Sequence, residues 1–166
     1  MQQLNHQNIP FSPKKNPITI VCDGMNKAHN IGSLFRIADT FGVEKIIFCN
    51  TSVQIPSTKT RRTSRSTEKY IDFEIKNNTV ETIQKLKATH DVIALDITDK
   101  SKPLQRFSFQ NDKPIALVLG NEMHGISEES LSLCDIHIHI DMFGKNSSMN
   151  VVQACNIALY EIVKQL

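Results

Sequence analysis

The sequence predicts an α/β fold, a mostly parallel sheet flanked by helices, on three observations. Short continuous apolar runs, such as residues 18–22 (ITIVC) and 115–119 (IALVL), have the composition of strands buried on both faces. They alternate with segments whose apolar residues recur at helical spacing. Gly, Asn, Glu, Ser and Arg, rather than apolar filler, occupy residues 23–30, 120–127 and 141–148. These stretches follow strands, where ligands of such sheets bind.

Taken in order, residues 1–16 are polar, with Pro10 and Pro13, and read as a loose arm, leaving 17–166 as a single domain. Residues 18–22 form the first strand. Ile31, Leu34, Ile37, Ala38 and Phe41 then mark a helix that Gly42 stops. A second strand covers 45–49, and a polar, basic stretch read as a loop runs to Tyr70. A short strand at 71–75, a helix at 80–88 and a strand at 92–96 follow, then strands at 115–119 and 136–140. The closing helix spans 149–163. Its apolar residues, among them Val151, Val152, Cys155, Ile157, Leu159 and Ile162, cover more than one face, so it is buried on more than one side.

Composition narrows the classes. With 166 residues, 40% of them hydrophobic, the chain can bury a core without disulfides or a structural metal. Nineteen Lys+Arg against seventeen Asp+Glu give a formal charge of +2, so any attraction to nucleic acid is local. The first ten residues lack the apolar core of a signal peptide, and no apolar run approaches the ~20 residues of a membrane helix. The four cysteines, Cys22, Cys49, Cys134 and Cys155, show no CxxC spacing and read as buried free thiols in a reducing compartment. A cytoplasmic location follows, under which the sequons at Asn50, Asn78 and Asn146 carry no meaning.

Several chemistries fail on spacing. Gly144-Lys145 has His139 where a P-loop needs its first Gly and Asn146 where it needs Ser or Thr. After the first strand stands Asp23-Gly24-Met25-Asn26-Lys27, not a dinucleotide GxGxxG, and no GxSxG elbow occurs. His137 and His139 share one face of a strand with Cys134 and His124 in reach, but no clear third ligand completes a metal site.

Three ordered patterns remain. The first is Asp23-Gly24 followed by Asn30-Ile31-Gly32 and Arg36-Ile37-Ala38. The second is Leu119-Gly120-Asn121-Glu122-Met123-His124-Gly125. The third runs from Ile140 to Ala154 with Met142, Gly144, Ser148, Asn150 and Val151 in place. Together they resemble the SpoU/TrmH-type RNA ribose methyltransferases of the SPOUT class, over about residues 18–166. Ala28 and Asp141 stand where that pattern commonly has Pro, Met149 where it has Leu, and Val152 where it has Ser. Asp141 adds a charge beside the expected cofactor.

The resemblance implies an S-adenosylmethionine-dependent 2′-O-ribose methyltransferase, with a deep trefoil knot around the last helix and a homodimer whose site draws on both subunits. It assigns the chemistry to Arg36, Asn30, Glu122, Ser148 and Asn150. Cofactor contacts fall to Leu119, Gly120, Asn121, Gly125, Ile140, Met142, Ser148 and Met149. No metal and no membrane enter. Compact relatives of this kind point to tRNA ahead of rRNA. Beside these roles stand plainer ones. Arg36 lies opposite the apolar face of its helix, as a solvated arginine would. Gly120 and Gly125 suit a tight turn, and Ser147 or Ser148 suits the cap of the last helix. Lys59, Arg61, Arg62 and Arg65, with hydroxyl residues between them, become in an RNA enzyme the phosphate-contact loop. Two competing readings are an inactive RNA-binding assembly factor and an unrelated α/β nucleotide enzyme; the intact motif residues argue against the first and the missing phosphate fingerprints against the second.

Overall fold

The computed structural model describes residues 11–110 and 112–166, so the expected arm lies largely outside the described residues. Seven strands form one sheet: β1 (Asn16–Asp23), β2 (Val43–Cys49), β3 (Asp72–Lys76), β4 (Asp91–Leu95), β5 (Lys102–Pro103), β6 (Ile115–Leu119) and β7 (Ile136–His139). Their order is β3-β2-β1-β6-β4-β7-β5, and every pairing is parallel. Among the described residues five α-helices accompany them: α1 (Ala28–Thr40), α2 (Thr58–Ser64), α3 (Thr79–Leu86), α4 (Glu128–Leu133) and α5 (Val151–Gln165).

The apolar runs are explained by burial on both faces. In β1, Ile18, Ile20 and Cys22 pack with one core and Val21 with the other; in β6, Ile115, Leu117 and Leu119 oppose Ala116 and Val118. The first core is closed by Ile31, Leu34, Phe35 and Ala38 of α1 and by Cys155, Ala158, Leu159 and Ile162 of α5. The second is closed by Ile83 of α3 with Leu131 and Leu133 near α4. This is a three-layer helix–sheet–helix arrangement. The chain leaves β1 toward β2 but leaves β6 across β4 toward β7, which opens a crevice beyond the carboxyl ends of β1 and β6.

Several boundaries differ from expectation. The basic stretch is not a loop: residues 58–64 are α2, and a 3-10 turn covers Thr67–Lys69. Its polar sequence has no apolar period to read. A reciprocal cap starts it instead, with Ser57 Oγ accepting from the Thr60 N–H and Thr60 Oγ1 accepting from the Ser57 N–H. Thr60 and Ser64 are buried. The six-residue α4 was not anticipated, although Ser127-Glu128-Glu129 carries an acidic first turn suited to a helix start. The two-residue β5 is an edge strand that pairs with β7 alone. The last helix begins at Val151, and its cap is Asn150 rather than Ser147 or Ser148: Asn150 Oδ1 accepts from the N–H groups of Val152 and Gln153 at 2.9 and 3.4 Å.

The docking of α2 on α1 rests on Gly32. A Cβ placed there would sit 1.9 Å from Thr63 Oγ1 and 2.4 Å from the Thr60 carbonyl oxygen. The first atom can rotate away; the second belongs to the backbone and cannot. Ala is favoured over Gly inside a helix by about 1 kcal/mol, but overpacking costs about 1–3 kcal/mol. Gly32→Ala is therefore expected to be net destabilising in urea unfolding, and a stabilised variant would mean that α2 is not seated on α1.

Candidate active site

The carboxyl ends of β1, β4, β6 and β7 border a cleft of about 540 Å³, within the range of small-molecule sites. Its walls come from segments that are distant in sequence: Lys27 just before α1, residues 95–97 at the end of β4, the loop 120–125, and the stretch from His139 into the start of α5.

The loop after β6 is a tight turn. The Asn121 N–H donates to the Gly125 carbonyl at 2.8 Å and the Gly125 N–H to the Asn121 carbonyl at 3.0 Å. Asn121 Nδ2 donates to the Gly24 carbonyl at 2.6 Å, tying the turn to the end of β1, while its Oδ1 accepts from the Met123 N–H at 2.8 Å. Gly125 has φ +69°, and a Cβ on Gly120 would lie 2.1 Å from the Gly125 carbonyl carbon. No side chain fits at Gly120, so backbone itself lines this wall. Asp96 at the end of β4 braces the turn by accepting from the Ile126 N–H at 2.9 Å.

Glu122 links the motifs. Its Oε1 accepts from Asn30 Nδ2 and from the Lys27 N–H, each at 3.0 Å, and its Oε2 accepts from the Asn26 N–H at 3.3 Å. The carboxylate thus satisfies open donors at the start of α1 and faces the positive end of that helix. Asn30 is buried, and its Oδ1 accepts from Asn150 Nδ2 at 3.2 Å. Asn150 in turn caps α5. One polar chain, Glu122–Asn30–Asn150, therefore joins all three motif segments. Burial by itself would raise the Glu122 carboxyl; hydrogen bonds from Asn30 and from backbone N–H groups outweigh it and hold the group below its ordinary value.

Asp23 at the end of β1 is a second anchor. It accepts from Thr79 Oγ1 at 2.6 Å and from the N–H and hydroxyl of Ser127 at 3.0 and 2.7 Å, which fastens α3 and the start of α4 to the sheet. Its burial opposes ionisation, but these bonds prevail and its carboxyl too lies below the ordinary value. The thiols offer no nucleophile: all four cysteines are free and buried. Burial pushes Cys134 up to about 12 and also raises Cys22, Cys49 and Cys155.

The structure brings most of the expected site residues together. Glu122, Ser148 and Asn150 line the cleft, as do Gly120, Asn121, Gly125, Ile140, Met142 and Met149. Leu119 does not: it is the last residue of β6 and fully buried in the core. Asn30 stands behind the wall, one hydrogen bond from Glu122. Arg36 is exposed on α1 and is not part of the lining; among the described residues its guanidinium has no ion pair. Lys59, Arg61, Arg62 and Arg65 are exposed on or at the end of α2, on the helix seated against α1. Lys27, Asp96 and His139 line the cleft but were not singled out as site residues. Lys27 lay within the first flagged loop, whereas Asp96 and His139 needed the strand order to place them. Among the described residues no cluster of three His, Cys, Asp or Glu could hold a metal ion, and no helix is long and apolar enough to cross a membrane.

The all-parallel sheet with a ligand-sized cleft beyond its carboxyl ends is the arrangement of an α/β ligand-binding domain. The chain belongs to the SpoU rRNA Methylase family, whose model matches residues 17–160. It is 29% identical to a 23S rRNA (guanosine-2′-O-)-methyltransferase, RlmB, of Haemophilus influenzae, over 99% of this chain and 67% of that protein. It is also similar to the crystal structure of the A. aeolicus TrmH/SpoU tRNA modifying enzyme, with a TM-score of 0.82, 25% identity, and coverage of 92% of this chain and 77% of that one. The SpoU methyltransferase AviRb from Streptomyces viridochromogenes, in complex with AdoMet, gives a TM-score of 0.79 at 25% identity over 97% of this chain and 64% of that one. The chain spans 58–67% of the length of the first curated relatives it matches.

The lowered Glu122 carboxyl has a consequence for stability. A carboxyl held below its unfolded value stabilises the fold above that value, about 4.3 for Glu, and loses the contribution as pH falls toward the folded value. The stability gap between wild type and Glu122→Gln is expected to be full at pH 6–7 and to shrink below about pH 4. Urea unfolding across this range measures it; a gap that is constant down to pH 3 would mean Glu122 has no such role.

Proposed function

We propose that this chain is an S-adenosylmethionine-dependent RNA methyltransferase that modifies a ribose 2′-hydroxyl. The observation that carries the proposal is the Glu122–Asn30–Asn150 chain beside a cleft walled by backbone at Gly120, because it assembles all three motif segments around one space. That space fits the methyl donor: it is of small-ligand size, and Gly120 leaves main-chain groups rather than a side chain along its wall. Gly120, Asn121, Ile140, Met142, Ser148 and Met149 would hold the donor, with Gly125 shaping the wall. When bound, the donor supplies an electrophilic methyl group on a sulfonium.

The rest falls to side chains. The chain must align the ribose oxygen with that methyl and stabilise charge as the hydroxyl loses its proton. Arg36 takes the second task. Its reference pKa of about 12.5–13.8 makes it a poor free base, so it acts by supporting the developing alkoxide and by holding a neighbouring phosphate. Its absence from the lining of its own cleft favours a site completed by a second subunit. Ile157 and Tyr160 on α5, 40% and 64% exposed, supply apolar surface for such a homodimer. The exposed cations of α2 follow the RNA backbone. We further propose that α5 is knotted through the preceding loops, as the family resemblance implies, that residues 17–166 act as a single domain behind a polar arm, and that the protein works in the cytoplasm without a metal.

Compact size turned the expectation toward tRNA. The names of the first curated relatives turn it toward rRNA, and we adopt rRNA as the substrate class. Transfer RNA stays as the second reading because the A. aeolicus structure, at comparable likeness, is titled a tRNA modifying enzyme. Methyl transfer from labelled donor to unmodified rRNA and tRNA, assayed separately, tests both. Transfer to neither would leave an RNA-binding factor. In the same assay Arg36→Ala and Arg36→Lys are expected to lose about 10²-fold or more in turnover, the scale of a lost transition-state donor, while cofactor binding survives. The lysine variant fails because it lacks the planar fork. Near-normal turnover of Arg36→Ala at saturating RNA would remove Arg36 from the mechanism.

A further inference from the structure

Asp141 departs from the proline of the related motif, and its surroundings give it a task. It lies between Ile140 and Met142, which both line the cleft, yet Asp141 itself is not part of the lining. Its charge is turned away from the ligand space. One carboxylate oxygen accepts from Gln105 Nε2, and the other lies 3.3 Å from His139 Nε2. The opposite ring nitrogen, His139 Nδ1, is 2.9 Å from Ser101 Oγ. Ser101 is itself fixed, since its hydroxyl donates to the Thr98 carbonyl at 2.8 Å and accepts from the Thr98 N–H at 2.9 Å.

Both ring nitrogens of His139 thus face protein groups, Nδ1 donating to Ser101 Oγ, whose own hydrogen goes to the Thr98 carbonyl, and Nε2 lying opposite the Asp141 carboxylate, and the ring lines the cleft. The whole cluster connects the end of β7 to the segment 98–106, which carries β5 and the 3-10 turn Leu104–Arg106. Within that segment Leu104 is buried in the core, while β5 pairs with β7 through two residue positions only, so the cluster is the polar tie between the segment and the end of β7. A proline at 141 would offer neither acceptor.

We propose that Asp141, through His139 and Gln105, is a positioning residue that fixes the first residues of the loop from Ile140 to Asn150 and the His139 ring in the form that takes the methyl donor. The proposal rests on the reading of the cleft as the donor's site. It differs from a charge that contacts the donor: Asp141 acts through its neighbours, so the amide of asparagine, which can still accept from Gln105 and donate to a ring nitrogen, serves nearly as well.

The test is calorimetric titration of S-adenosylmethionine into the intact protein and its variants, with steady-state kinetics alongside. Asp141→Ala is expected to weaken donor binding about tenfold, the size of a lost hydrogen bond to a charged group in a partly exposed site. Its KM for the donor rises by a similar factor, while turnover at saturating donor and the KM for RNA stay near wild type. Asp141→Asn restores binding to within about twofold, and Asp141→Ala adds little to His139→Ala because the two residues act as a unit. Equal binding by wild type and Asp141→Ala would overturn the proposal, as would an asparagine variant as weak as the alanine. Should Asp141→Ala fail to fold, Gln105→Ala, which removes one of the two contacts, carries the same expectation in smaller measure, and unchanged binding there would overturn it. A wild-type protein that binds no donor at all would instead sink the reading of the cleft.

Discussion

A single buried amide, Asn30, holds the architecture of the site together. It gives a hydrogen to Glu122 on the loop after β6 and receives one from Asn150 at the head of α5. Two segments that lie 92 and 120 positions further along the chain meet the start of α1 at this side chain. Each partner has a second duty: Glu122 closes the open N–H groups before α1, and Asn150 closes those of α5. The two helices that cover one face of the sheet are therefore started by the same polar chain that lines the cleft. A buried polar network is costly when half satisfied and rigid when complete, and here the side-chain oxygens of Glu122, Asn30 and Asn150 all accept hydrogen bonds.

The cleft depends on this chain for its shape and on glycine for its surface. Gly120 brings the β6 loop back against itself so closely that a methyl group would collide with backbone. Asp96 then braces the turn from the end of β4, and Asn121 ties it to the Gly24 carbonyl after β1. The result is a wall of fixed main-chain dipoles of the kind that binds a polar ligand without reorganising. Asp23 works in parallel on the other face of the sheet, fastening α3 and α4. The proposed chemistry on the ribose adds a cation that these groups do not supply, Arg36, which is exposed on α1 and has no ion pair among the described residues.

Much of this was legible because burial writes itself into composition. Strands covered on both sides are dominated by apolar residues, so β1 and β6 announced themselves as ITIVC and IALVL, and the ligand loops had to follow them. The three motif segments gave most of the cleft lining. What stayed hidden shares a physical cause: it is held by contacts from distant parts of the chain. The start of α1 carries no local cap because its cap, Glu122, lies 95 residues downstream of Lys27. Helix α2 has no apolar face to betray it and is stabilised by its own hydroxyl cap and by close approach to Gly32. Leu119 was assigned to the ligand because it borders the motif, but as the last residue of a central strand it points into the core. The charge on Asp141, unexplained from sequence, is accounted for by Gln105 and His139, which only the sheet order brings near.

The central claim is that Asn30 couples the loop after β6 to the head of α5. Glu122 and Asn150 have no hydrogen bond to one another; they meet through Asn30. The most direct measurement is a double-mutant cycle on unfolding free energy with Glu122→Ala, Asn150→Ala and the double variant, in the wild-type background and in Asn30→Ala. The account predicts an interaction energy of about 0.5 kcal/mol or more with Asn30 present and strict additivity once it is removed. Additive effects in the wild-type background would contradict it.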